Sequence, residues 1–340
     1  MNLKTENRLA SADILKAISI TAVVFIHGSS LIASSHCNAN ASSYRFNLIL
    51  MLRFCVPVFV FLWAYFQEKS ALKHKSHTLL RSRFYTLFIP FFFWSLIYFL
   101  LSADFKTLSF SRLLSKHWTG FGWAGQYYFI ILFQLIILFP LIRWITMKII
   151  TWVPWIYIAA LLFYMLLSYT GWFYIDMVGK VGDRPFLYWT PYVILGITYA
   201  HKNIFPLKLP LVVGLISTVF IAIEFHLLNL REVGIYLHPA IFVTTFLLLS
   251  SLEFEVSYTA LSGPVAWIIQ TIAKNTLGIF CLNPLVIIAF SAMFQPKGLS
   301  LNFMGSCVIA PILSTLIILI TCILITSLLK RIKLGILIAN

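Results

Sequence analysis

Three ionisable side chains stand inside the first apolar segment of the chain, where lipid should exclude them: Asp13, Lys16 and His27. Such groups are costly in a membrane and mark function by default. Asp13 and Lys16 are three residues apart, so on a helix they share a face and can pair. Eleven residues separate Lys16 from His27. At 3.6 residues per turn this is close to three whole turns, so both point the same way, about 16 Å apart along the axis. One stripe thus carries a charged pair at one end and an imidazole deeper in. A histidine titrates near neutral pH and can act as a general base. Two plainer readings stand beside this one. Asp13 and Lys16 could simply neutralise each other at the interface, and His27 could bond a backbone carbonyl inside a bundle.

Arg53 opens the second apolar segment, in Arg53-Phe-Cys-Val-Pro-Val-Phe-Val-Phe. It is expected near the outer face, close in depth to His27. There it could orient a substrate or pair with a carboxylate, or snorkel to the interface. Arg81-x-Arg83 lies in the basic loop expected before the third apolar run, with Pro90 just inside that run. Two guanidiniums at a helix entrance could grip phosphates; the alternative is ordinary loop charge. Asp176, Asp183, Glu224 and Glu232 are expected on the outer side. Any of them could orient His27, and spacing does not choose among them.

The elements that position these residues are membrane helices. Of 340 residues, 61% are hydrophobic and 10% charged, with a mean hydropathy of +0.93. A soluble domain is about 45–50% apolar and about 25% charged. Ten continuous apolar segments are expected: Leu9–Ala33, Phe46–Phe66, Phe84–Leu101, Trp123–Ile142, Trp152–Tyr169, Phe186–Ala200, Pro210–His226, Tyr236–Leu252, Thr276–Phe294 and Met304–Leu329. A β-barrel would alternate apolar and polar residues, so the fold class is all-α, a polytopic bundle forming one domain over 1–340. Asp13 and Lys16 argue against a cleaved signal peptide in the first segment.

The formal net charge is +15. In a soluble chain this would suggest nucleic acid; here cytoplasmic loops account for it, and the expected partner is membrane lipid. With the N-terminus inside, fifteen of the 25 Lys and Arg fall on the cytoplasmic side, nine outside, and Lys16 within the first helix. Both termini are therefore expected in the cytoplasm. The five cysteines show no CxxC or Cys/His spacing, so neither a metal site nor a disulfide framework is expected.

Taken together, these residues resemble the acyltransferase-3 family of bacterial membrane O-acyltransferases. Arg8-Leu-Ala-Ser-Ala-Asp13-Ile-Leu-Lys16 through His27 resembles the family's first-helix signature, and Arg53 through Pro57 and Phe59 its second-helix motif. Arg81-x-Arg83 with Pro90 looks like the motif ascribed to acyl-donor binding. Tyr127-Tyr128-Phe129 resembles the aromatic motif opening a middle helix, and Thr276 through Asn283-Pro284 a late-helix segment. Two positions depart from the pattern. Lys16 stands where Arg is usual, keeping the charge but losing the bidentate fork. Asn283 stands where His is usual, and Asn cannot accept a proton, which leaves His27 as the preferred base.

The resemblance implies acetyl-CoA or another acyl-CoA as cytoplasmic donor, and a hydroxyl on a cell-surface or lipid-linked glycan as acceptor. It places the protein in the bacterial cytoplasmic (inner) membrane. Arg81 and Arg83 would hold the donor phosphates, the pantetheine arm would pass Asp13 and Lys16, His27 would deprotonate the acceptor hydroxyl or take the acyl group transiently, and Arg53 would help place the acceptor or stabilise developing negative charge. A transporter of a glycan or small solute is the rival reading, since intramembrane charges also line solute paths.

Overall fold

Membrane helices satisfy most of their backbone bonds internally, and the described residues of this chain are built of helices. The computed structural model describes residues 10–29, 39–73, 76–102, 109, 111, 120, 122–170, 182–201, 210–228, 234–250, 258, 261–294 and 309–338; at 39–42, 76–81, 83, 102 and 211 it describes backbone alone. The helices are α1 (Ala10–Gly28), α2 (Ala39–Met51), a 3-10 turn (Leu52–Phe54), α3 (Cys55–Ala71), α4 (Ser76–Ser102), α5 (Gln126–Lys148) and α6 (Val153–Tyr169). They continue with α7 (Thr190–Ala200), α8 (Leu211–Leu227), α9 (Pro239–Ser250), α10 (Gly263–Lys274), α11 (Thr276–Phe294) and α12 (Ile309–Arg331). Among the described residues there is no strand.

The protein is an all-α polytopic membrane protein. Seven stretches among the described residues are long and apolar enough to cross a bilayer, with Val212–Leu227 and Pro239–Ser250 shorter. Seven of the ten expected segments thus match full spans. The segment expected at Phe186–Ala200 yields a 3-10 turn and the 11-residue α7. That helix is about 16 Å long, roughly half the hydrocarbon thickness. Ile137, Trp155, Leu162, Phe220 and Leu324 are each more than half exposed. Apolar exposure on this scale fits lipid rather than water.

Three local features differ from the expectation. The second segment is two helices joined by the turn at Leu52–Phe54. Pro57 has no N–H for the Arg53 carbonyl, and the ladder tightens there, with the Cys55 N–H bonding Leu52 O. The basic stretch before the third segment is largely helical, because α4 starts at Ser76. Hydropathy locates where lipid ends, not where the helix does. Gly263–Lys274 was in none of the ten segments, since its 12 residues hold only a short apolar run, Val265–Ile269, before Gln270 and Thr271.

The chain falls into two compact units. The first holds α1, α2, the 3-10 turn, α10 and α11, with most of α8, α9 and α12; α4 to α7 and most of α3 belong to the second. In the first unit α1 packs on α10, α11 and the 3-10 turn. Two-thirds of its length is buried, more than in any other candidate span. Small buried residues along it (Ala10, Ser11, Ala12, Ala17, Ser19 and Ala22) permit this close approach.

In the second unit α5 packs on α4 and α7. A buried carboxylate, Glu68 near the end of α3, accepts two bonds from Arg143 Nε of α5, at 2.9 and 2.7 Å. Its Oε1 lies 2.8 Å from His201 Nε2, just past α7. Gly196 lets α7 touch the backbone of α3: a Cβ there would lie 2.6 Å from Phe61 O and 2.8 Å from Tyr65 N. Backbone cannot swing aside. Gly196→Ala is therefore expected to cost about 1–3 kcal/mol through overpacking, read as a lower thermal unfolding midpoint in detergent.

Candidate active site

His27 sits in the last turn of α1, where the helix faces α11. Its Nδ1 lies 2.7 Å from Asn283 Oδ1. The Asn283 side chain is buried, and its Nδ2 donates to Ile279 O at 3.1 Å and to Phe280 O at 2.7 Å. Pro284 follows inside the same helix. Having no N–H, it leaves the Phe280 carbonyl without its usual i+4 donor, and the Asn283 amide supplies one instead. With both amide hydrogens committed to carbonyls, Oδ1 is the atom presented to the ring.

Arg53 lies on the 3-10 turn that packs against α1, near enough for its charge to act on the His27 ring. The two residues expected at similar depth are thus brought together. Each sits beside a proline interruption in its neighbourhood, Pro57 for Arg53 and Pro284 for the partner of His27.

Asp13 and Lys16 pair as their spacing suggests, with Lys16 Nζ 3.7 Å from Asp13 Oδ1. Asp13 is buried and also accepts a hydrogen bond from Tyr258 Oη. This pair stands at the other end of α1 from His27. On the stripe between them, Ile20 and Val24 are 0% exposed. The surface linking the pair to the imidazole is packed and apolar, so Asp13 does not itself touch His27.

The described partner of His27 Nδ1 is the Asn283 amide oxygen. Glu224 accepts from Tyr169 Oη and from the Ala240 N–H at 3.1 Å. The Asp183 carbonyl accepts from Trp189 Nε1 at 2.6 Å, and Asp176 and Glu232 lie outside the described residues. Arg81 and Arg83 fall within α4, their side chains outside the description. Tyr127, Tyr128 and Phe129 form the first turns of α5, behind Gly125, whose φ of 91° caps the helix. Tyr127 Oη donates to Tyr236 Oη at 3.1 Å. The buried Gln126 accepts the Gly122 N–H at 2.6 Å and donates to Ser95 Oγ at 2.8 Å. The sequence reading missed Gln126 and the Glu68 cluster.

An oriented imidazole with a guanidinium close by thus lies at the end of α1, the most buried candidate span among the described residues. Residues 9–331 match the acyltransferase-3 family model, described as an acyltransferase domain. The match covers nearly the whole chain, and the chain belongs to that family: it is a membrane acyltransferase, transferring groups other than aminoacyl groups. No curated protein and no solved structure is matched.

Proposed function

We propose that this enzyme moves a short acyl group, acetyl by the family's habit, from cytoplasmic acyl-CoA to a hydroxyl of a cell-surface or lipid-linked glycan. Its seat is the bacterial cytoplasmic membrane, with both termini inside. The observation that carries the reading is the His27–Asn283 contact beside Arg53, on the helix that bears the family's first signature.

His27 Nε2 takes the proton from the acceptor hydroxyl as its oxygen attacks the thioester carbonyl carbon. Arg53 stabilises the negative charge that develops on the carbonyl oxygen. The C–S bond then breaks, the proton on the imidazolium goes to the departing sulfur, and ester and free thiol leave. One proton moves in and out of a single ring, so no further acid or base is needed.

Asp13 and Lys16 are assigned to the donor side on the strength of the resemblance. Tyr258 and the ion pair hold them as a fixed polar group at the start of α1. Arg81 and Arg83 are assigned to the donor phosphates on sequence grounds. Changing both to Ala is expected to raise the KM for acyl-CoA about tenfold or more, with kcat changed little. An unchanged KM would remove them from the donor site.

The test uses the purified full chain in proteoliposomes with radiolabelled acetyl-CoA and a lipid-linked oligosaccharide acceptor. Acid-stable, alkali-labile label on the glycan, dependent on the enzyme, is the expected result. Label with neither acetyl-CoA nor succinyl-CoA, on any hydroxyl acceptor offered, would end the proposal.

A further inference from the structure

We infer that Asn283 is a positioning residue that fixes His27 in the Nδ1–H tautomer and so presents Nε2 as the nitrogen that accepts the proton. The inference rests on the proposed role of His27 and deepens it.

The argument is a closed count of donors and acceptors. An Asn side chain offers two N–H donors and one carbonyl oxygen. Both directions from Nδ2 are met by carbonyls of its own helix, Ile279 O at 3.1 Å and Phe280 O at 2.7 Å. Phe280 O needs a donor because Pro284 cannot provide one. Flipping the amide would set Oδ1 against two carbonyl oxygens, all three being acceptors. The group 2.7 Å from His27 Nδ1 is therefore an acceptor, and Nδ1 must carry hydrogen. In a neutral ring the lone pair then resides on Nε2.

Pro284 is thus part of the device. It removes the backbone donor that would otherwise reach Phe280 O, the amide takes that place at 2.7 Å, and the amide holds the ring. Asn283 is 0% exposed, so water does not compete for either bond. A second consequence follows from the residue type. An amide does not titrate, whereas a histidine at this position would form a coupled pair with His27. The elements packed on His27 bring Arg53 as a charged group from the 3-10 turn. α11 contributes the thiol Cys281 and no Asp, Glu, Lys or Arg, while Ile318 of α12 lies against the neighbouring Gly28. Lys274 ends α10, and Cys322, Lys330 and Arg331 lie farther along α12. Asp13 and Lys16 are at the far end of α1.

The experiment compares wild type, N283L, N283D and H27A in the labelled-donor assay. N283L removes the acceptor at similar volume and is expected to lower kcat by about 100-fold with the donor KM within about twofold. N283D restores an acceptor for Nδ1 and adds negative charge, which favours imidazolium. It is expected to recover much of kcat, and to move the acidic limb of the pH–rate profile up by about one pH unit or more. Wild-type kcat in N283L, or an acidic limb unmoved in N283D, overturns the inference. Should N283L aggregate in detergent, the N283D profile decides alone. Loss of transfer in H27A with both Asn283 variants unaffected would sink this inference and spare the role of His27. Full transfer in H27A would sink both.

Discussion

Replacing His27 with alanine is expected to lower acyl transfer by roughly 10³-fold while the protein still inserts and elutes as wild type. General-base catalysis by one positioned group contributes about 10²–10⁴-fold. The structural cost is small. Alanine leaves Asn283 Oδ1 without its partner, which costs about 1–3 kcal/mol, while Nδ2 keeps its two carbonyls. His27→Gln sharpens the test, because its amide can still donate toward Asn283 yet cannot take a proton at neutral pH. Both variants should therefore lose transfer alike, and His27→Gln should unfold closer to wild type. Transfer above a tenth of wild type in either variant would mean that the acceptor hydroxyl loses its proton elsewhere.

The first-helix stripe was legible because it depends on local geometry alone. Helical period places Asp13 beside Lys16, and the 3.7 Å contact follows from a spacing of three. Seven full spans were legible for a similar reason, since a bilayer demands long apolar runs. The partner of His27 was not, because 256 residues of chain separate it from Asn283 and no periodicity reaches that far. One signal was present. An Asn immediately before a Pro in an apolar helix sits three residues after the carbonyl whose i+4 donor the Pro removes, and its amide can fill that place. The amphipathic α10 also left a trace: Gly263-Pro264 opens it and Lys274 ends it, a start and stop that a search for continuous apolar runs passes over. Arg81 and Arg83 show the opposite error. Charge was read as loop, yet α4 continues through both.

Glu68→Ala is expected to destabilise the fold by about 3 kcal/mol, through the ends of three helices at once. Its carboxylate is wholly buried, and it joins Arg143 on α5 with His201 beyond α7. Removing one partner of a buried ion pair costs about 3–5 kcal/mol, because the remaining charge has lost its counterpart. The low end applies here, since the Arg143 side chain is 34% exposed and can turn to water. Hydrophobic replacement of a whole pair is often neutral, so Glu68→Met with Arg143→Met should recover much of the loss. Thermal unfolding in detergent reads both. A midpoint for Glu68→Ala within a degree of wild type would mean that packing around Phe61 and Gly196 holds α3 to α7 without the charges. The converse outcome, a large drop with recovery in the double variant, would show that Glu68 is retained to neutralise Arg143 where α3 and α5 meet. That role does not require any part in acyl transfer, and kcat per folded molecule is expected to stay at the wild-type value.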